Sequence, residues 1–345
     1  MPLHLRRLAV LFRAGLLVAA LLAPFAAMAS PQADAQYGPL PVFELHSGFW
    51  VNLHHVLYQQ ARVRLNARGV PRASVPLQGH SAGEQAAWDA AVAYYAENYA
   101  TGDLAFSGEL ILLKNQLGDF ETCEEISGKR QNCDAGLPPR LTQVLDAAAA
   151  VYRAHDWPEH DRANRKWIAQ TAPLVRQHGL ILSERLAEIY QTHWPKEKIR
   201  VDVTSYAGSA GAYTTLDPLR VIISSLDSRN QGSAALEVLF HEASQDIAEP
   251  VQLAINRECR QRDKPTPRDL WHALVLYTIS EVIIPAFNRQ GEPAQVETDI
   301  AAAARSRLSK RGWDAYGNLL ATFWQPYMDG NATFDDAIAR MISSL

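Results

Sequence analysis

Between residues 199 and 225 the chain changes its period, and this change limits its architecture more than any other stretch. Ile199-Arg-Val-Asp-Val-Thr204 alternates apolar and polar residues, and Ala212-Tyr-Thr-Thr215 and Arg220-Val-Ile-Ile-Ser-Ser225 are rich in β-branched residues, with Gly208 and Gly211 as interruptions. Short runs of this kind read as strands. Most other segments place their apolar residues at helical spacing. The expected fold class is therefore α+β, mainly α-helical, with a small β-sheet packed against one helix inside a helical domain.

That helix follows a polar turn, Asp227 to Gly232, with Ser233 placed to cap it. Ala234-Ala-Leu-Glu-Val-Leu-Phe-His-Glu-Ala-Ser-Gln245 sets His241, Glu242 and Gln245 on one apolar segment. An H-E-x-x-H helix presents two imidazoles one turn apart with a general-base Glu beside them. Here Gln245 stands where the second His belongs. Asp269 to Glu281 is apolar almost all round and reads as a buried helix, and a Glu inside such a helix needs a partner.

Strands, then Leu239-Phe-His-Glu-Ala-Ser-Gln245, then a helix bearing Tyr277 and Glu281, resemble the zincin metallopeptidases of the branch whose third ligand is a Glu on a following helix. The likeness covers roughly Ile199 to Pro285. It implies His241 as the first zinc ligand, Gln245 at the second ligand position and Glu281 as the third. It further implies Glu242 as the general base acting on zinc-bound water, and Tyr277, one turn before Glu281, as an oxyanion donor. An amide oxygen is a weaker zinc donor than an imidazole nitrogen. Three outcomes follow: Gln245 ligates weakly, His46, His54 or His272 substitutes, or the site holds no metal. His272 and Glu281 lie about 180° apart on one helix, so they do not both reach one ion unless that helix breaks. Without a metal, His241, Gln245 and Glu281 form a buried hydrogen-bonded network instead.

The preceding half reads as a helical layer with no compact reaction motif. Phe43 to Ala67 follows helical spacing and carries His46, His54 and His55, of which adjacent residues point about 100° apart and cannot share a site. Helices are expected over Glu84 to Thr101, Asp103 to Asp119, from near Arg140, and over Val175 to Trp194, with Pro195 closing the last. His155, Asp156, His160 and Asp161 have ligand-type side chains but read better as a helix start capped by Asp. A helix through Cys259 and a polar loop, Gln261 to Pro267, precede the buried helix. Val296 to Leu308 and Trp313 to Leu345 read as further helices. Asn331-Ala-Thr333 matches a glycan acceptor only formally.

Arg6 and Arg7 precede an apolar run, Ala14 to Phe25, that ends in Ala27-Met28-Ala29, the pattern of a secretory signal peptide over residues 1–29. The run is shorter than the roughly 20 apolar residues of a spanning helix, so no membrane span is expected after cleavage. The location expected is periplasmic or secreted. Without three leader arginines, 30 basic residues face 37 acidic ones, which excludes the basic footprint of a nucleic-acid partner. In an exported chain Cys123 and Cys133 read as a local disulfide with Cys259 left over, the rival being three free thiols. Residues 30–198 and 199–345 are expected to form one compact unit. The sequence-level function is an exported zinc-dependent hydrolase acting on an amide or ester bond, with loss of activity tied to Gln245. Its rival is a non-catalytic binding protein that holds a peptide or small molecule in a metal-free cleft. Oligomeric state leaves no mark on the sequence.

Overall fold

The computed structural model describes residues 39–65, 79–128, 132–288, 309 and 311–345. The leader expected over 1–29 and the helix expected over 296–308 lie outside them. The described chain is mainly helical with a small four-stranded mixed sheet, as the period change requires. The strands are β1 (Phe43–His46), β2 (Ile199–Thr204), β3 (Ala212–Thr215) and β4 (Arg220–Ser224), in the order β1-β2-β4-β3. β1, β2 and β4 run parallel, and β3 is antiparallel to β4 at one edge.

Alternation along β2 sorts its side chains onto two faces. Ile199, Val201 and Val203 join Val221 and Ile223 in one core, packed with helices α5 (Trp157–Ile189), α6 (Ser233–Ile247), α7 (Glu249–Gln261) and α8 (Leu270–Asn288). Ile222 and Tyr213 face the other core, built with α1 (Phe49–Arg64), α2 (Ala82–Asn98), α3 (Gly108–Gly118) and α4 (Pro139–His155). Helices thus cover both faces of the sheet. The first core also takes in the C-terminal segments α9 (Asp314–Leu319), a π-helical turn (Leu320–Trp324), α10 (Gln325–Met328) and α11 (Phe334–Ser344). Because β1 pairs with β2, and both cores draw on both halves of the chain, the two regions share one framework.

The polar residues of β2 face α1 and α3. Asp202 is buried, bonded by Arg200, which also engages Glu121. Lys114, equally buried, donates to Thr215 Oγ1 at 2.7 Å. Burial pushes the Asp202 pKa up, but Arg200, Lys114 and His46 outweigh it and hold the carboxyl at about 2. These charges compensate one another inside the layer.

Several local expectations need correction. Phe43–His46 is a strand and the helix starts only at Phe49, because the backbone of this segment bonds to β2 and Gly48 takes an extended conformation at the helix start. The His/Asp cluster is a helix start, as expected, with Asp156 at the N-cap position, and among the described residues it is not a metal-ligand set. Asp156 makes no capping bond; instead His155 bonds Glu84, His160 bonds Tyr152, and Asp161 accepts from Ser47. The helix begins inside the cluster, at Trp157, and ends at Ile189, short of Trp194. Gly232, not Ser233, occupies the N-cap of α6. Cys123 and Cys133 form a disulfide, and Cys259 is a buried free thiol. Thr333 caps α11 by accepting from the Asp336 amide. Among the described residues no helix is long and apolar enough to cross a membrane.

Candidate functional site

The entry into α6 is fixed by side chains that close the end of the sheet. Asn230 Nδ2 donates to the carbonyls of Gly211 (2.8 Å) and Ser224 (3.0 Å), and the Asn230 carbonyl accepts from Trp167 of α5 (2.6 Å). Gly211 adopts φ +83°, and a Cβ there would run into the Asp227 carboxylate, so the turn before β3 requires glycine. From this anchored start α6 runs across β3 and β4 and sets His241 and Glu242 in a nearly dry position, at 6% and 7% exposure.

Strand β3 holds Glu242 from the other side. Pairing of the Ser224 amide with the Gly211 carbonyl and the register Tyr213↔Ile222 turn the backbones of Gly211, Tyr213 and Thr215 toward β4. The alternate residues Ala212 and Thr214 therefore turn their amides and carbonyls outward. The Thr214 side chain points to α6, where its hydroxyl lies 2.7 Å from the Glu242 carbonyl and 2.9 Å from Glu242 Oε2. Gln245 Nε2 donates to the same carboxylate oxygen at 2.8 Å. Gln245 thus orients Glu242.

α8 supplies the second imidazole. His272, in its first turn, places Nε2 3.0 Å from His241 Nε2, with the rings tilted by 22°. Trp271 and Trp313 flank His272, and Arg311 Nη1 lies 3.2 Å from its Nε2. Burial first, and the Arg311 charge second, depress the His272 pKa to about 4, so the ring is neutral at pH 7. Of the histidines considered as substitutes, His272 alone reaches this cleft. His46 contacts Glu121 and Glu44, His54 bonds Tyr95, and His55 bonds the Val51 carbonyl and the Tyr213 hydroxyl.

Tyr277 and Glu281 are not brought to His241. The Tyr277 hydroxyl donates to Gln325 Oε1 at 2.9 Å, and neither residue lines the cleft. Burial and then the nearby Glu281 carboxylate push the Tyr277 phenol up, which makes it a poor proton donor as well. The cause of the exchange is rotational: the face of α8 that bears His272 meets α6, and Glu281 sits about half a turn round from it. Ser280, not Glu281, meets the buried carboxylate of Glu237 on α6.

The cleft encloses about 390 Å³ and is lined by Glu242, Gln245, His272 and Arg311 at one end. Its wall is the segment from Tyr206 to Ala210 together with Ala212, Tyr213 and Thr214. Its far rim is the turn from Thr101 to Phe106. A pocket of this size accommodates a few residues of a chain or a small molecule.

A catalytic zinc ion takes three protein ligands and keeps a fourth position open. The two facing imidazole nitrogens, 3.0 Å apart, come within a few tenths of an ångström of the separation that bonds of about 2.0 Å impose in tetrahedral geometry. The third ligand is missing: Gln245 is committed to Glu242, Glu281 lies elsewhere, and the Arg311 cation sits on the nitrogen of His272 that faces His241. Among the described residues no group of three or more His, Cys, Asp or Glu side chains is arranged to hold a metal ion. The set fits half of a zinc site, not a closed one. No known protein-family model, curated protein or solved structure matches this chain.

Proposed function

We propose that this is an exported peptide-binding protein built on the plan of a zinc peptidase, with a cleft whose third metal ligand has been replaced. The outward-facing backbone of Ala212 and Thr214 at the edge of the sheet carries this reading. Among the described residues no strand lies beyond β3, and an extended peptide added there gains main-chain hydrogen bonds without any demand on its sequence. Glu242, held by Thr214 and Gln245, and the neutral His272 then supply fixed polar groups along the bound chain.

The test is titration of the mature protein with short blocked peptides in the presence of a chelator. Saturable binding that survives the chelator supports the reading, and its absence sinks it. The 3.0 Å separation of His241 and His272 favours a second reading, a metal-dependent hydrolase with these two nitrogens as ligands and Glu242 as general base. One equivalent of zinc in the purified protein, lost on His241→Ala, together with peptide hydrolysis abolished by Glu242→Gln, establishes the second over the first.

A further inference from the structure

The far end of the cleft is built by α1 and by the turn before α3, both outside the stretch that resembles zinc peptidases. Tyr58 and Arg62 lie one turn apart on α1, Tyr206 follows β2, and Phe106 sits on the turn; all four line the cleft. That turn is held from both sides. The Asp103 side chain accepts from the Ala105 amide and its carbonyl accepts from the Ser107 amide, each at 2.8 Å. The Tyr58 hydroxyl donates to the Gly102 carbonyl at 2.7 Å, and Arg62 Nη1 donates to the Ala100 carbonyl at 2.9 Å. The polar tip of Tyr58 is thereby occupied by backbone, and its ring, with the residue only 5% exposed, backs the cleft from behind.

Phe106 is 87% exposed. A phenylalanine presented to water by a rigid turn at the mouth of a cleft is an apolar surface waiting for cover. Burial raises the pKa of Tyr58 and of Tyr206, and the Arg62 charge acts on both phenols in the opposite sense, which places the three side chains in one neighbourhood.

We propose that Tyr58, Tyr206 and Phe106 form a subsite that seats one aromatic side chain of a peptide laid along β3, with Arg62 at its lip. Side chains of an extended chain alternate, so one residue of a bound segment turns away from the sheet edge toward these rings. Aromatic pairs favour offset or edge-to-face contact, and an arginine at the lip adds attraction for an electron-rich face. This inference rests on the peptide-binding reading.

The experiment is calorimetric titration of the mature protein, with chelator present, using a blocked polyalanine peptide and the same peptide with one central phenylalanine. The phenylalanine peptide is expected to bind at least about tenfold more tightly. Phe106→Ala and Tyr206→Ala each reduce that preference to about threefold or less, while Leu112→Ala, a control at an exposed apolar residue of α3, retains it. Circular dichroism of each variant confirms the fold. Equal affinity for the two peptides, or a preference unchanged in both cleft variants, overturns the subsite and leaves peptide binding standing. Failure of both peptides to bind overturns both.

Discussion

The imidazoles of His241 and His272, thirty-one residues apart in the chain, meet nitrogen to nitrogen at 3.0 Å. One shared proton satisfies that contact, and so would one divalent ion if a third donor faced it. Gln245 lies one turn after His241 on α6 and lines the cleft together with His272, at the position where the resemblance puts the second ligand.

Gln245→His therefore has a defined outcome. It adds an imidazole beside the existing pair and frees one bond to Glu242. Zinc affinity, read by competition against a chromogenic chelator, is expected to rise by at least about tenfold, since nitrogen is the better zinc donor. An unchanged affinity would show that the backbone no longer aims this position at the pair.

Arg311 opposes a metal from the other side, with Nη1 3.2 Å from His272 Nε2. A fixed cation this close to a bound dication is repelled by about 1–2 kcal/mol after screening. Arg311→Met should raise zinc affinity by roughly tenfold by itself, whereas Arg311→Lys, which keeps the charge, should not. Equal affinities for the two variants would remove electrostatics from the account.

Which parts of this arrangement were legible beforehand follows from the range of the forces involved. β2 is announced by local alternation and β3 and β4 by β-branched runs, with β4 ending one residue before the run does, at Ser224. β1 is hidden because its four residues owe their strand conformation to partners about 150 positions away, from Phe43↔Ile199 to His46↔Asp202. His241 and Gln245, four apart, share a helix face by spacing alone, with Glu242 about 100° round from His241. The choice between His272 and Glu281 depends on how α8 is rotated against α6, which only packing decides. Arg311 and Phe106 belong to no motif, and nothing in their own segments marks them as cleft residues.

Acid should destabilise the protein well before its carboxylates titrate. His55 is fully buried between the Val51 carbonyl and the Tyr213 hydroxyl, and burial lowers its pKa from 6.5 to about 4. Between those values the unfolded chain binds a proton that the native state refuses, so stability falls as pH drops from about 6.5 toward 4. The loss approaches about 3 kcal/mol for His55 alone, and His54, also depressed by burial, acts in the same direction. Urea unfolding across this window measures the slope. His55→Asn should flatten it; a slope that persists unchanged would assign the acid sensitivity to other groups.

Alkali should do the opposite over a limited range. Lys114 lies 1% exposed against Thr215, and burial lowers its pKa from 10.5 to about 7, with Asp202 opposing and Arg220 and Arg200 reinforcing the shift. Above about pH 7 the unfolded lysine still carries its proton while the native one has released it, so stability rises with pH, by roughly 1.4 kcal/mol per unit at most. The window closes near pH 10, where buried tyrosines such as Tyr95 and Tyr213, with pKa values raised by burial, begin to favour the unfolded state. Unfolding free energies at pH 7.5 and 9.5 are therefore expected to differ by about 2 kcal/mol in the native protein. Lys114→Met removes the titrating group and should abolish most of that difference. A pH dependence that survives in Lys114→Met would place the released proton elsewhere in the layer.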